Sequence, residues 1–266
     1  KSLENACRNK DIIIFAVPSV FIRVTASNAR SFIKRGQVIV NVAKGIELGS
    51  LFTMSEVIRD ELERNISLRD IKIVALSGPT HAEEVALEFP STIVAACEDS
   101  NIAEFFQEVL MNSFMRVYTN TDIKGVEMCG ALKNIIALAS GISQGLGYGD
   151  NAKAALITRG IAEISRLGIA MDCNIQTFSG LAGLGDLVVT CTSIHSRNNK
   201  AGNLIGGGLS KEEAIKEVGM VVEGINAIEP AIKLAKKYNL ELPIIMAVNN
   251  IVNEKQDPRT VVNLLM

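Results

Sequence analysis

Five short apolar runs alternate with helical stretches over the first 118 residues of this chain, and none recurs after Thr121. The runs are Asp11 to Val17 (DIIIFAV), Gln37 to Val42 (QVIVNV), Ile71 to Leu76 (IKIVAL), Ser91 to Ala96 and Phe114 to Thr119. Continuous β-branched runs separated by helices predict a parallel sheet covered on both faces. Beyond Thr121 the spacing predicts helices alone: 126–146, 152–167, 186–191, 198–205, 211–218, 224–238 and 243–252. Glycine clusters punctuate them, as at Gly145-Leu146-Gly147 and Gly206-Gly207-Gly208. The expected fold class is therefore α/β followed by all-α, with the boundary near residue 119.

Bulk properties exclude several functions. Hydrophobic residues make up 48% of 266, enough for a substantial core. A formal charge of -2 gives no basic footprint for nucleic acid. No 18-residue apolar stretch stands free of charges and glycines, so no membrane span is expected. Cys7, Cys97, Cys129, Cys173 and Cys191 lack metal or disulfide spacing, which suits a reducing cytoplasm. Two histidines, His81 and His195, cannot build a rich metal cluster, and no metal is expected. Apolar helices make a homodimer the expected assembly.

The chain opens just before a strand, inside what reads as an α/β unit. A doubly wound dinucleotide fold begins with a strand, a glycine-rich turn and a helix. No G-x-G-x-x-G occurs near residue 1. At on the order of 30 residues per βαβ unit, roughly two units are expected upstream. On this reading the chain is a fragment, expected to bind cofactor weakly and to be inactive by itself.

Lys133 carries the strongest chemical signal. It lies in GVEMCGALKNIIALASGISQGL (125–146), whose only charges are Glu127 and itself. A lysine enclosed by such a helix loses charge-stabilising water, and its pKa falls. It can then exchange a proton near neutral pH. The alternative is a lysine that buries its stem and extends its head to water. At helical spacing Lys133 shares a face with Cys129, Gly130, Ala137, Ser140 and Gln144. These residues are small or polar and let a ligand or a second helix approach. Asn134 adds a donor and an acceptor.

Three strand ends are punctuated: Val17-Pro18-Ser19, Val42-Ala43-Lys44-Gly45 and Ser77-Gly78-Pro79-Thr80. Ligands of open parallel sheets bind at such ends, although turn chemistry alone also explains the prolines. Thr80-His81-Ala82-Glu83 fits a capping box, and its helix start could also receive an anion. Lys44, in a small apolar flank, suits a phosphate or a carbonyl oxygen. Asp186 is the sole carboxylate of an apolar, glycine-rich stretch. It reads either as a helix N-cap or as a partner that orients Lys133. Ser193-Ile-His-Ser196-Arg197-Asn198 opens a helix, where guanidinium and helix dipole together suit a phosphate. A solvated helix end is the alternative.

These stretches resemble the bacterial NAD(P)-dependent glycerol-3-phosphate dehydrogenases. The matching segments are IIIFAVPS (12–19), VNVAKGIE (40–47), SGPTHAEEVA (77–86), residues 125–160, FSGLAGLGDLVVTCTSIHSRNNKAG (178–202) and VVEGINA (221–227). The resemblance implies a Rossmann-type cofactor domain over 1–118 and a helical substrate domain over 119–266. It implies NAD(P) as cofactor and a small phosphorylated three-carbon substrate. The reaction interconverts sn-glycerol 3-phosphate and dihydroxyacetone phosphate and supplies phospholipid synthesis. Lys133 becomes the proton-transferring catalytic lysine. Lys44, Gly78, Thr80, Asp186, Ser196, Arg197 and Asn198 become substrate contacts with it. Lys44, Ala82, Arg197, Val221 and Glu223 become cofactor contacts. His81 stands where many relatives carry phenylalanine. Two other readings are a hydroxy-acid dehydrogenase of the same layout and a non-catalytic helical dimerisation module.

Overall fold

The computed structural model describes residues 2–265. Five strands form one sheet: β1 (Ile12–Phe15), β2 (Val38–Asn41), β3 (Lys72–Ser77), β4 (Ser91–Ala96) and β5 (Met115–Asn120). Their spatial order follows the sequence. Five helices accompany them: α1 (Leu3–Cys7), α2 (Ile22–Ala29), α3 (Met54–Leu62), α4 (Ala82–Ala86) and α5 (Ser100–Leu110). The period-2 alternation of strands sends successive side chains to opposite faces. Ile13, Ile39, Ile73 and Val94 pack beneath α2 and α3. Val40, Val74, Ala95 and Val117 face α5. Each fully buried aliphatic side chain contributes about 2 kcal/mol of transfer free energy, so both faces are strongly held.

The sheet departs from the all-parallel expectation at one place. β1, β2 and β3 run parallel, and so do β4 and β5, but β4 is antiparallel to β3. The reason lies in the connection. A parallel crossover must carry the chain back along a strand about 20 Å long. Helix α4 has five residues and covers only about 7.5 Å, so the chain turns and pairs with β3 in the opposite direction.

The remainder is helical: α6 (Ile123–Gly145), α7 (Asp150–Ala170), α8 (Ile175–Ser179), α9 (Asp186–Thr192), α10 (Arg197–Gly206), α11 (Lys211–Val218), α12 (Glu223–Lys237), α13 (Pro243–Val252) and α14 (Pro258–Leu265). A π-helical turn, Leu181–Gly185, leads directly into α9. Helix α6 begins three residues before its expected start because Asp122 caps it, accepting the Gly125 N–H at 2.9 Å. By length and composition α6 could cross a membrane, yet its most apolar stretch is wholly buried inside the protein. It is the axis of the helical part, wrapped by α7, α9, α10, α12 and α13. Helices α8 and α14 lie outside the expected set.

Candidate active site

Because β1, β2 and β3 are parallel, their carboxyl ends share one edge, and α6 passes across it. A cleft opens there between the strand ends and α6, α9, α10 and α12. The residues expected to touch substrate or cofactor lie on its wall: Lys44, Gly78, Thr80, Ala82, Lys133, Asp186, Ser196, Arg197, Asn198, Val221 and Glu223. Gly78 is where α4's connection leaves β3. A Cβ there would come within 3.0 Å of the Thr92 carbonyl oxygen and 3.1 Å of Ile93 Cα on β4, so the close approach of backbone requires glycine.

The capping box expected over Thr80–Glu83 does not form. The Thr80 hydroxyl turns back and donates to the Gly78 carbonyl at 3.3 Å. The cap position passes to His81, without a side-chain cap bond.

At the centre is a buried charge cluster. The Lys133 ammonium is 5% exposed. It donates to Asp186 Oδ1 at 2.5 Å and to Thr190 Oγ1 at 2.6 Å. Lys44 Nζ donates to Asp186 Oδ2 at 2.7 Å. Asp186 is therefore not an N-cap. It is the first residue of α9, and its carboxylate bridges two ammonium groups. Burial pushes the Lys133 pKa down, and the nearby Lys44 charge adds to the fall, against the pull of Asp186, leaving it at about 8. Burial raises the Asp186 pKa, but Lys44 and Lys133 overcome this and hold the carboxyl below its usual value. The lysine thus titrates near neutrality beside a carboxylate that stays ionised.

Thr190 is the residue that sequence reasoning passes over. Its hydroxyl donates to the Asp186 carbonyl oxygen at 2.6 Å and accepts from Lys133. The signal was available: Thr190 is four residues past Asp186, on the same helix face.

The opposite wall belongs to α10. Ser196 caps this helix, accepting the Asn199 N–H at 3.2 Å. Arg197 is its first residue, exposed and without an ion pair among the described residues. Asn198 donates to Asn134 Oδ1 at 3.0 Å and accepts the Gly224 N–H at 2.9 Å, which ties α6, α10 and α12 together. On α12, Glu223 accepts the Ser19 N–H at 3.0 Å and the Ser19 hydroxyl at 2.6 Å. Gly141 on α6 and Gly202 on α10 let the two backbones touch. A Cβ on either would overlap the other helix's main chain. Of the face shared with Lys133, Ser140 is bonded to the Cys191 carbonyl at 3.2 Å, whereas Gln144 is exposed.

The His81 imidazole lines the cleft with Nε2 buried and without a hydrogen-bond partner among the described residues. Burial lowers its pKa and Lys133 lowers it further, which favours the neutral ring. A buried polar atom without a partner, beside two lysines and a free guanidinium, fits a polar, anionic ligand lying across the strand ends. A nicotinamide dinucleotide, with its anionic diphosphate, is such a group.

A Rossmann-like sheet whose carboxyl edge meets a buried lysine on a helical bundle defines a nicotinamide-dependent dehydrogenase. The family descriptions "NAD-dependent glycerol-3-phosphate dehydrogenase N-terminus" and "C-terminus" match residues 1–103 and 122–263. A glycerol-3-phosphate dehydrogenase [NAD(P)+] of Lactobacillus delbrueckii subsp. bulgaricus is 60% identical over 266 residues, covering 100% of this chain and 79% of the relative. That of Fusobacterium nucleatum is 51% identical over 265 residues, covering 100% and 78%. The crystal structure of glycerol-3-phosphate dehydrogenase from Coxiella burnetii superposes with a TM-score of 0.93 at 37% identity, covering 99% of this chain and 79% of that one. The chain belongs to the NAD-dependent glycerol-3-phosphate dehydrogenase family, and its cofactor is NAD(P).

Proposed function

We propose that the protein interconverts sn-glycerol 3-phosphate and dihydroxyacetone phosphate. The observation that carries this reading is the buried Lys133 bonded to Asp186 within a cleft that also presents Arg197. An ammonium has three N–H donors. Two are taken by Asp186 and Thr190, so the third is left for the substrate C2 oxygen. In reduction Lys133 Nζ gives its proton to that oxygen. In oxidation the neutral amine keeps both bonds and takes the C2 hydroxyl proton on its lone pair. The bound nicotinamide supplies or accepts the hydride at substrate C2. Lys44 faces the same oxygen and stabilises charge developing on it.

Arg197 grips the phosphate, helped by the N-terminal end of α10 and by Asn198. That grip lies away from the reacting carbon, so its binding energy serves orientation. Gly78, Thr80 and Ser196 complete the substrate wall. Ala82, Val221 and Glu223 face the cofactor together with Lys44 and Arg197. The cofactor part spans residues 1–118 and the substrate part 119–266. Five free, buried cysteines suit a cytoplasmic location, and glycerol 3-phosphate made there feeds phospholipid synthesis. Exposed apolar side chains such as Ile169 and Ile175 suit a homodimer.

The test is a substrate comparison. Formation of reduced nicotinamide is followed with NAD+ and with NADP+, using glycerol 3-phosphate or a carboxylated hydroxy acid such as glycerate. Turnover confined to the phosphorylated substrate is expected. Equal or faster turnover of the hydroxy acid would replace the phosphate reading with a carboxylate one.

A further inference from the structure

A second buried acid lies outside the cleft. Glu127, 6% exposed on α6, accepts from the Ser55 N–H at 3.0 Å, the Ser55 hydroxyl at 2.8 Å and Asn41 Nδ2 at 2.7 Å. Asn41 is the last residue of β2. Its amide also donates to the Ala43 carbonyl at 3.1 Å, and its Oδ1 accepts the Ala43 N–H at 3.0 Å. Both side-chain donors and the acceptor are thus used. Val42 N still donates to Phe15 O at 3.2 Å, and beyond it the chain leaves the sheet. The Asn41 side chain thus clasps the turn at the strand end through Ala43, and the residue after Ala43 is Lys44.

Lys44 is confined on its far side as well. A Cβ on Gly130 would lie 3.3 Å from Lys44 Cγ and 3.4 Å from Cδ, so the lysine stem runs across α6 at Gly130. Gly130 is one turn before Lys133 on the same helix face. The stem therefore has a floor, and its root is held by the Asn41 loop. Glu127 and Lys133 sit on one helix: Glu127 bonds Asn41 at the end of β2, and Lys133 shares Asp186 with Lys44 from the segment that follows.

We propose that Asn41, anchored by Glu127, is a positioning residue: it sets the strand end from which Lys44 reaches Asp186, and so fixes the distance between the Lys44 and Lys133 charges. The inference rests on the roles given above to Lys44 and Lys133. Without Asn41 the loop relaxes, the Lys44 ammonium moves away from Lys133, and two effects follow. Substrate loses an oriented cation. Lys133 loses a repulsive neighbour, and its ionisation moves to higher pH. The other groups facing Lys133 are Asp186 and Cys191 from α9 and His81 from the start of α4, and none of them is bonded to Asn41.

The experiment compares Asn41→Ala, Ser55→Ala and Lys44→Ala in the enzyme. KM for glycerol 3-phosphate, the pH profile of kcat/KM and the melting temperature are read. Asn41→Ala is expected to raise KM several-fold and to move the low-pH limb upward, in the direction of Lys44→Ala and by less. Ser55→Ala removes a different Glu127 bond and is expected to leave KM and the limb in place. If Asn41→Ala does not fold, Asn41→Ser keeps an acceptor for Ala43 but is too short to reach Glu127, and is expected to behave likewise. A lower melting temperature with KM and limb unmoved would make Asn41 merely structural. Equal shifts in Ser55→Ala would also overturn the proposal. No response to Lys44→Ala would remove the role of Lys44 itself, and the proposal would fall with it.

Discussion

Lys133 is where sequence and chemistry meet most directly. A single positive charge in an apolar helix announced its burial, and the structure leaves it 5% exposed. What it bonds was not legible in the same way. Asp186 is 53 residues away and Lys44 is 142 residues from Asp186, and no local pattern records such pairings. A lone carboxylate before a helix reads equally well as a cap. Only the path of α9, set by the π-helical turn before it, decides between the two. The ionisation of Lys133 gives a directional prediction. Its pKa stands at about 8, below the ordinary lysine value. Oxidation needs the neutral amine, so its kcat/KM should rise as pH increases through that region. Reduction needs the ammonium, so its kcat/KM should fall over the same interval. Rates measured in both directions from about pH 6 to 10 check this. Profiles of the same sign in both directions would assign the proton to another group.

At the scale of elements, the position of most helices was readable, and the direction of a strand was not. Helices α11 and α13 fall where the spacing placed them. The antiparallel β4 was hidden because a strand's own residues do not state its direction. That was decided by the shortness of α4. The capping box failed for a related reason: the turn at Gly78 drew the Thr80 hydroxyl back toward its own carbonyl. The face of α6 read as open to a ligand or a second helix, with Gly130 on it, meets the Lys44 stem there, whereas α10 packs at Gly141 and Gly145, outside that reading. This leads to a test at Gly141. In an exposed helix, Gly→Ala gains about 1 kcal/mol from propensity. Here the new Cβ would press on the Asn199 and Asn203 backbone of α10, where overpacking costs about 1–3 kcal/mol. The clash is against main chain and should win. Gly141→Ala is expected to lower the urea midpoint and to raise substrate KM, because α10 carries Arg197 and Asn198. An unchanged midpoint and KM would show that the helices can part freely.

Across the whole molecule, polar ties join the sheet to the helical bundle, among them Lys44 to Asp186, Ser19 to Glu223, Asn41 to Glu127 and Asn120 to Thr177. Each has one end on a strand edge or its following segment and the other on a helix. The sheet's core also takes in Ile123 and Val126 of α6, so apolar packing and these ties together hold the two parts against each other, with Lys133 at the seam. Replacing the amine there by a side chain of similar volume should cost chemistry rather than stability, since Asp186 keeps Lys44 as its partner and no carboxylate is stranded. The most direct measurement is therefore kcat for glycerol 3-phosphate oxidation by Lys133→Met, with circular dichroism and thermal melting recorded on the same sample. The account predicts a loss on the order of 10³-fold in kcat with the native spectrum retained and a melting temperature no lower than that of the unmodified protein. Turnover within about tenfold of the unmodified protein, a loss too small for proton transfer, would contradict it.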